Sequence, residues 1–348
     1  MQPAPEPQPA REAGSLPNRI VCLTEEPTEV LYALGEERRI VGISGFTVRP
    51  PRARREKPKV SAFTSAKVEA IVALEPDLAI GFSDIQADIA QALVKRGVEV
   101  WIANHRSVDG ILGYVRRLGA LVGASLRAEA YARELETHLE RVREAAARLP
   151  RRPRVYFEEW DDPMISAIGW VSELVGIAGG GDVFPERAAC ALGRDRIVAD
   201  PLEVVRRAPD IVVGSWCGKK FRASQVAARP GWDAVPAVRD GELHEVKSSI
   251  ILQPGPAALT DGLDALHAII ARWAAKSVAV EGSRERDVES PCNRVCTIDP
   301  RTGYCIGCLR TLDEISRWHA MTNAERARLV TSLPARRPSE TADPQGSG

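Results

Sequence analysis

Val68-Glu69-Ala70-Ile71-Val72-Ala73-Leu74-Glu75-Pro76-Asp77-Leu78-Ala79-Ile80-Gly81 opens a helix, breaks it at Pro-Asp and runs into a short apolar strand ending in glycine. Leu202-Glu203-Val204-Val205-Arg206-Arg207-Ala208-Pro209-Asp210-Ile211-Val212-Val213-Gly214 repeats the plan one residue shorter. Proline lacks an amide hydrogen and its ring clashes with the preceding turn, so neither helix continues past it. Thr64-Ser65 and Asp200-Pro201 read as the cap signals of the two helices. Each copy holds the same place in its half of the chain, which predicts two similar αβ lobes with a cleft between them.

The rest of the chain fits that plan. Arg19 to Leu23, Arg39 to Ile43 and Val98 to Ala103 read as strands beside helices over 29–34 and 85–95, an alternation that implies parallel βαβ units. Arg49 to Pro58, rich in proline and arginine, reads as a solvated loop. Leu126, Ala130, Leu135, Leu139, Val142, Ala146 and Leu149 recur at helical spacing. About 24 residues at ~1.5 Å each make a rod of roughly 36 Å, long enough to run along both lobes as a rigid spine. The second half holds strands at 154–158 and 242–246, the second copy and a closing helix from Pro256 to about Ala274. Gly179-Gly180-Gly181 follows a helix and lacks the Lys-Ser/Thr of a phosphate loop, so it reads as a helix end and turn. The expected division is a disordered tail at 1–18, an N-terminal lobe at 19–124, the spine at 125–150, a C-terminal lobe at 151–275, a linker at 276–289, a four-cysteine module at 290–333 and a second disordered tail at 334–348.

Composition narrows the function. The 348 residues are 44% hydrophobic, enough for a sizeable core, and 47 basic residues balance 47 acidic ones, which gives no support for nucleic-acid binding. No window reaches 18 uninterrupted apolar residues, so membrane insertion is not expected. Met1 to Ala10 has proline at 3, 5, 7 and 9, no basic start and no apolar run; the expectation is a cytoplasmic protein.

Ligands of open parallel sheets bind beyond the carboxyl ends of the strands. Phe46, Phe82, Trp160 and Trp216 all follow or end such segments, in a chain with only 18 aromatic residues. With Trp170, they would line a cleft suited to a large, flat, partly apolar ligand. Lys219 and Lys220 could neutralise an anionic group on it. Glu158-Glu159-Trp160-Asp161-Asp162 gathers four carboxylates, the basis of an enzyme alternative resting on Glu159 and Asp161. No histidine lies close in sequence and no Gly-x-Ser-x-Gly elbow is present, so no catalytic centre is identified; Cys217 is the one candidate thiol nucleophile or axial metal ligand.

Ile40-Val41-Gly42-Ile43-Ser44, Val60-Ser61-Ala62-Phe63, the Val68 to Leu78 segment and Gly179-Gly180-Gly181-Asp182-Val183-Phe184 together bring residues 19 to about 274 to a family. This region resembles the solute-binding proteins of ABC importers that carry cobalamin and iron-siderophore chelates, most of all the cobalamin branch. The resemblance implies a class III binding-protein fold, two Rossmann-like αβ lobes on one spine helix, and a corrinoid or other small metal chelate as ligand. It implies a corrin-contacting role for Phe63 and a second such aromatic at Phe46; Trp160, Trp170 and Trp216 rest on position alone. Glu69 and Glu203 fall where the family presents one carboxylate per lobe to an ABC permease. The alternatives are an iron-siderophore binder of the same fold and a corrinoid-handling enzyme.

Cys292, Cys296, Cys305 and Cys308 are spaced C-x3-C-x8-C-x2-C, which suits tetrahedral zinc or an iron–sulfur cluster. Thr311 with Glu314 and Thr322 with Glu325 predict capping boxes on two short helices. The segment from Ser290 to Trp318 resembles a small bacterial domain of unknown function described as a predicted iron–sulfur protein, which implies a cluster, with zinc the alternative, and a redox partner.

Overall fold

The computed structural model describes residues 16–283 and 288–337. The expected tails at 1–18 and 334–348 therefore lie mostly outside the described residues. The chain divides into two compact units, residues 1–275 and 276–348.

The first unit contains two separate five-stranded sheets. The first is built from β1 (Ile20–Cys22), β2 (Ile40–Ser44), β3 (Lys59–Ser61), β4 (Leu78–Phe82) and β5 (Val100–Ala103), in the order β3-β2-β1-β4-β5. Every neighbouring pair in it is parallel. The second holds β6 (Arg154–Asp161), β7 (Met164–Ser166), β8 (Gly181–Asp182), β9 (Ile211–Gly214) and β10 (Leu243–Glu245). Its path is β10-β9-β6-β7, with β8 also on β6. The β6–β7 pair is antiparallel, and the other pairs are parallel. The β6–β7 hairpin, turned by Asp162-Pro163, and the short β8 are additions to the expected plan.

The two copies of the repeated stretch do equivalent jobs. Helices Val68–Val72 and Leu202–Arg207 stop ahead of Pro76 and Pro209, and β4 and β9 follow. Asp77 accepts the Arg19 amide at 2.9 Å, and Asp210 accepts the Arg154 amide at 2.8 Å. Each Pro-Asp aspartate thus ties its own strand to the neighbouring one, a role that helix breaking alone did not suggest. Asp200 Oδ1 accepts the Leu202 amide at 3.0 Å, whereas Thr64-Ser65 precedes the first helix by too many residues to cap it.

The spine helix is Ser125–Ala147, 23 residues long. Its buried stripe is Ala128, Ala132, Leu135, Leu139 and Val142. Leu126, expected on that stripe, is 88% exposed, because small residues in the first turns let the helix lie close against Gly119. One continuous core joins spine and lobes, from Ile20, Leu31 and Tyr114 to Phe157, Trp170 and Leu263.

Two further expectations are corrected. The Arg49–Pro58 segment is engaged, not merely solvated: Arg49 pairs with Glu29 and Asp261, Arg52 with Glu37, and Arg54 donates to the carbonyls of Gly45 and Thr47. The final helix spans Leu263–Ser283, entered through a wide turn at Ala258–Gly262, so helix continues into the stretch read as a linker.

Candidate functional site

Position at a strand end predicts access only where the backbone leaves the ring facing outward, and the aromatic candidates divide on that test. Phe46, just past β2, is 51% exposed. Phe63, just past β3, is half-buried. Phe82 ends β4 but turns into the core, with its ring 5.2 Å from His105 and 6.2 Å from Trp170. Trp170 is also buried, and its indole N–H donates to the Ile251 carbonyl at 2.9 Å. Phe82 and Trp170 seal one lobe against the other instead of offering stacking faces, because the Gly169–Ile177 helix packs its apolar face inward.

On the second lobe, Trp160, Trp216 and Lys219 form a single cluster. The Lys219 ammonium lies 4.8 Å from the Trp160 ring centroid, 5.4 Å from that of Trp216 and 2.5 Å from Asp161 Oδ1. A cation over two indole faces is held by their electron-rich centres. Trp160 is half-buried while Trp216 is nearly covered, packed edge-on against Phe221 at 5.1 Å.

The strand read as ending at Glu158 runs on to Asp161, and the carboxylates at this end of β6 are largely matched by cations. Glu158 is fully buried and takes both Arg229 N–H groups, the Trp216 indole N–H and the Tyr156 hydroxyl. Glu159 pairs with the buried Arg196, and Asp161 with Lys219. Carboxylates held this way are positioned by neighbours and have little capacity left for a cation or for proton transfer. This weakens the enzyme alternative on Glu159 and Asp161.

The sequence reading missed the carboxylates on the opposite lobe. Glu25 and Glu26 follow β1, are both buried, and each has one carboxyl oxygen without a hydrogen-bond partner. Burial raises Glu25 to about 7 and Glu26 to about 8, although Ser44 and Thr24 respectively hydrogen-bond them. Two adjacent acids carry no sequence signal of burial; only the strand expected just before them, Arg19 to Leu23, hinted that the chain was still inside the core. Cys217 is exposed just past β9, and between the lobes the His105 ring, just past β5, meets the Pro254 carbonyl at 2.7 Å while Arg106 donates to the Ala191 carbonyl at 3.2 Å. The carboxyl ends of the two sheets therefore face each other.

The candidate docking acids differ. Glu69 is exposed and pairs with Arg96; Glu203, better covered, pairs with Arg187 and Arg207.

Residues 20–249 match the family described as periplasmic binding protein. The chain belongs to this family of binding proteins. Among relatives of the binding protein, an uncharacterized ABC transporter substrate-binding lipoprotein of Bacillus subtilis, YvrC, is 24% identical over 259 residues, 72% of this chain and 79% of its own. The vitamin B12-binding protein of Vibrio parahaemolyticus is 24% identical over 245 residues, 69% and 85% of the two chains. Among solved structures, a possible iron-binding periplasmic solute-binding protein of Staphylococcus epidermidis aligns with a TM-score of 0.63 at 20% identity, covering 74% of this chain and 99% of that one. The periplasmic vitamin B12 binding protein BtuF of Vibrio cholerae aligns at 0.58 and 20%, covering 75% and 98%. The fold is that of two lobes on a spine.

In the second unit, residues 290–337 match a family described as a protein of unknown function, DUF1289. Both capping boxes form, at Thr311 with Glu314 and at Thr322 with Glu325. Cys305 and Cys308 are buried, and Cys292 and Cys296 exposed. The amides of Cys308, Gly307 and Thr297 hold the Cys305 thiol below its ordinary value, while Cys292 beside it raises Cys296. The four thiols are neighbours, yet among the described residues no three Cys, His, Asp or Glu side chains close around one point tightly enough to hold an ion. Among the same residues no helix is long and apolar enough to cross a membrane.

Proposed function

We propose that the first unit binds a flat metal chelate of the corrinoid class between its lobes. The observation that carries this is the pairing of accessible rings on both sheets, Phe46 and Phe63 on one and Trp160, with Lys219 held between it and the covered Trp216, on the other, in a chain whose relatives include vitamin B12-binding proteins. Aromatic faces suit a planar macrocycle, and the Lys219 ammonium suits an anionic group at its edge. Titration with a corrinoid and with a ferric siderophore, followed by tryptophan fluorescence, tests the reading. Saturable quenching by the corrinoid supports it; response to the siderophore alone moves the protein to the iron-chelate branch; response to neither ends it.

Glu69 is the better candidate for permease docking, since its single exposed partner, Arg96, can exchange for a permease arginine at little cost.

The second unit is read as a thiolate-ligated metal module. Its buried side chains among the described residues are Cys305, Cys308, Arg310, Trp318 and Leu333, too few to stabilise about 48 residues by apolar burial. Cys292, Cys296, Cys305 and Cys308 are soft sulfur donors that fit iron–sulfur or zinc, and such a centre would supply the missing folding energy and, if iron, an electron-transfer site. Elemental analysis and a visible spectrum after anaerobic purification separate iron from zinc.

A further inference from the structure

Arg310 lies two residues past Cys308 and is only 2% exposed. Its Nε donates to Cys308 Sγ at 3.4 Å and its Nη2 to Ser290 Oγ at 3.3 Å, while the guanidinium carbon stands 4.8 Å from the Trp318 ring centroid. Nη1 is buried and has no hydrogen-bond partner. Arg336 and Arg317 in the same unit are each matched by an acid, Glu314 and Asp313. Arg310 instead faces sulfur, a hydroxyl and an indole.

A guanidinium stays protonated at any ordinary pH and carries five N–H donors in a rigid fork. Burying one without an anion is strongly unfavourable, and a neutral thiol or a cystine would not relieve it. Four thiolates around a divalent metal leave the centre with net negative charge. The nearest group able to become that anion is the sulfur Arg310 already touches.

We propose that Arg310 is the built-in counter-cation of the four-cysteine centre, holding it through a donor fork in which Nε–H meets the Cys308 sulfur and Nη1–H is directed to a further sulfur of the same centre. The proposal rests on the metal reading of the second unit and adds the residue that sets the centre's charge. Hydrogen bonds to ligating sulfur and nearby positive charge stabilise the more reduced, more negative state, and partners of this kind tune metal retention strongly. Trp318 fixes the fork by covering its face, and Arg326 lies 5.6 Å from the same ring.

The test uses the full chain, purified anaerobically, with Arg310→Lys and Arg310→Gln. Metal content, the rate of metal loss to EDTA and, where iron is present, the reduction potential are measured. Arg310→Gln is expected to weaken metal retention by about 10–100-fold and to lower the potential of an iron centre. Arg310→Lys keeps the charge and loses the fork, so it falls between the two. Should Arg310→Gln fail to fold, Arg310→Lys decides: several-fold faster loss supports the proposal, and wild-type retention overturns it. A metal-loaded wild type whose variants match it in retention and potential overturns the role of Arg310 alone. A wild type without metal overturns the metal reading as well.

Discussion

Glu158 and Arg229 meet as a two-pronged ion pair whose carboxylate is fully buried and whose guanidinium is mostly so, with Arg229 Nη1 2.6 Å from Glu158 Oε2 and Nη2 2.9 Å from Oε1. The same carboxylate receives the Trp216 indole, so the pair sets the position of one ring of the candidate ligand cluster.

Glu158→Gln leaves Arg229 with no full counter-charge in the interior, and breaking such a pair costs about 3–5 kcal/mol. Urea unfolding should show that loss for Glu158→Gln and a similar one for Arg229→Met. Joint replacement by apolar residues of matching size should recover part of it.

Trp160 and Trp170 separate binding from packing. Trp160→Ala should weaken corrinoid affinity roughly tenfold while leaving the unfolding midpoint close to wild type. Trp170→Ala removes a sealed ring and should cost about 3–5 kcal/mol of stability. Calorimetric binding beside denaturant curves checks both; equal effects of the two substitutions on affinity would contradict the placement of Trp160 at the site.

The raised carboxyls give the first unit a pH dependence of unusual sign. Glu26, at about 8 in the folded protein against an ordinary value of 4.5, binds its proton more tightly folded than unfolded. Stability is then fully present below the unfolded value and is lost as pH rises towards 8. Glu25, at about 7, acts in the same direction. His105, lowered to about 4 by burial, works oppositely but only below its ordinary 6.5, since above that it is neutral in both states. Between pH 6.5 and 8.5 the urea midpoint should therefore fall, and Glu26→Gln should flatten the decline.

Stripping the metal from the second unit should melt its helical signal while the first unit keeps its cooperative transition, because the two have separate interiors. Circular dichroism with and without a chelator reads this directly. A second unit that stays folded without metal would mean its few buried groups suffice.

Glu69→Ala should leave stability unchanged, since the Glu69–Arg96 pair stands in solvent, whereas Glu203→Ala removes the acid partner of Arg187 and leaves Arg207 with Glu186 alone, and should lower the midpoint. Reconstitution with an ABC permease, read as transport or ATPase stimulation, would then show its larger loss at Glu69.

What was legible in the chain was what local chemistry dictates. Pro76-Asp77 and Pro209-Asp210 end helices wherever they occur, and the threonine–glutamate pairs cap theirs without tertiary help. The aromatic candidates were legible as a group but not individually: Phe82 and Phe46 both lie at or just past strand ends, and only the packing of the Gly169–Ile177 helix decides that one is covered and the other free. Buried charge was the least legible. Glu25, Glu26, Glu158 and Arg310 are types that composition assigns to the surface, and contacts distant in sequence, such as Arg229 for Glu158 and Ser290 for Arg310, help to bury them.

The Ser125–Ala147 helix spans about 34 Å at ~1.5 Å per residue and has no proline or glycine along its length. If it works as a caliper, with the span between the jaws preset, similar guests should arrive alike. Discrimination among similar guests should then appear mainly in how long each one stays.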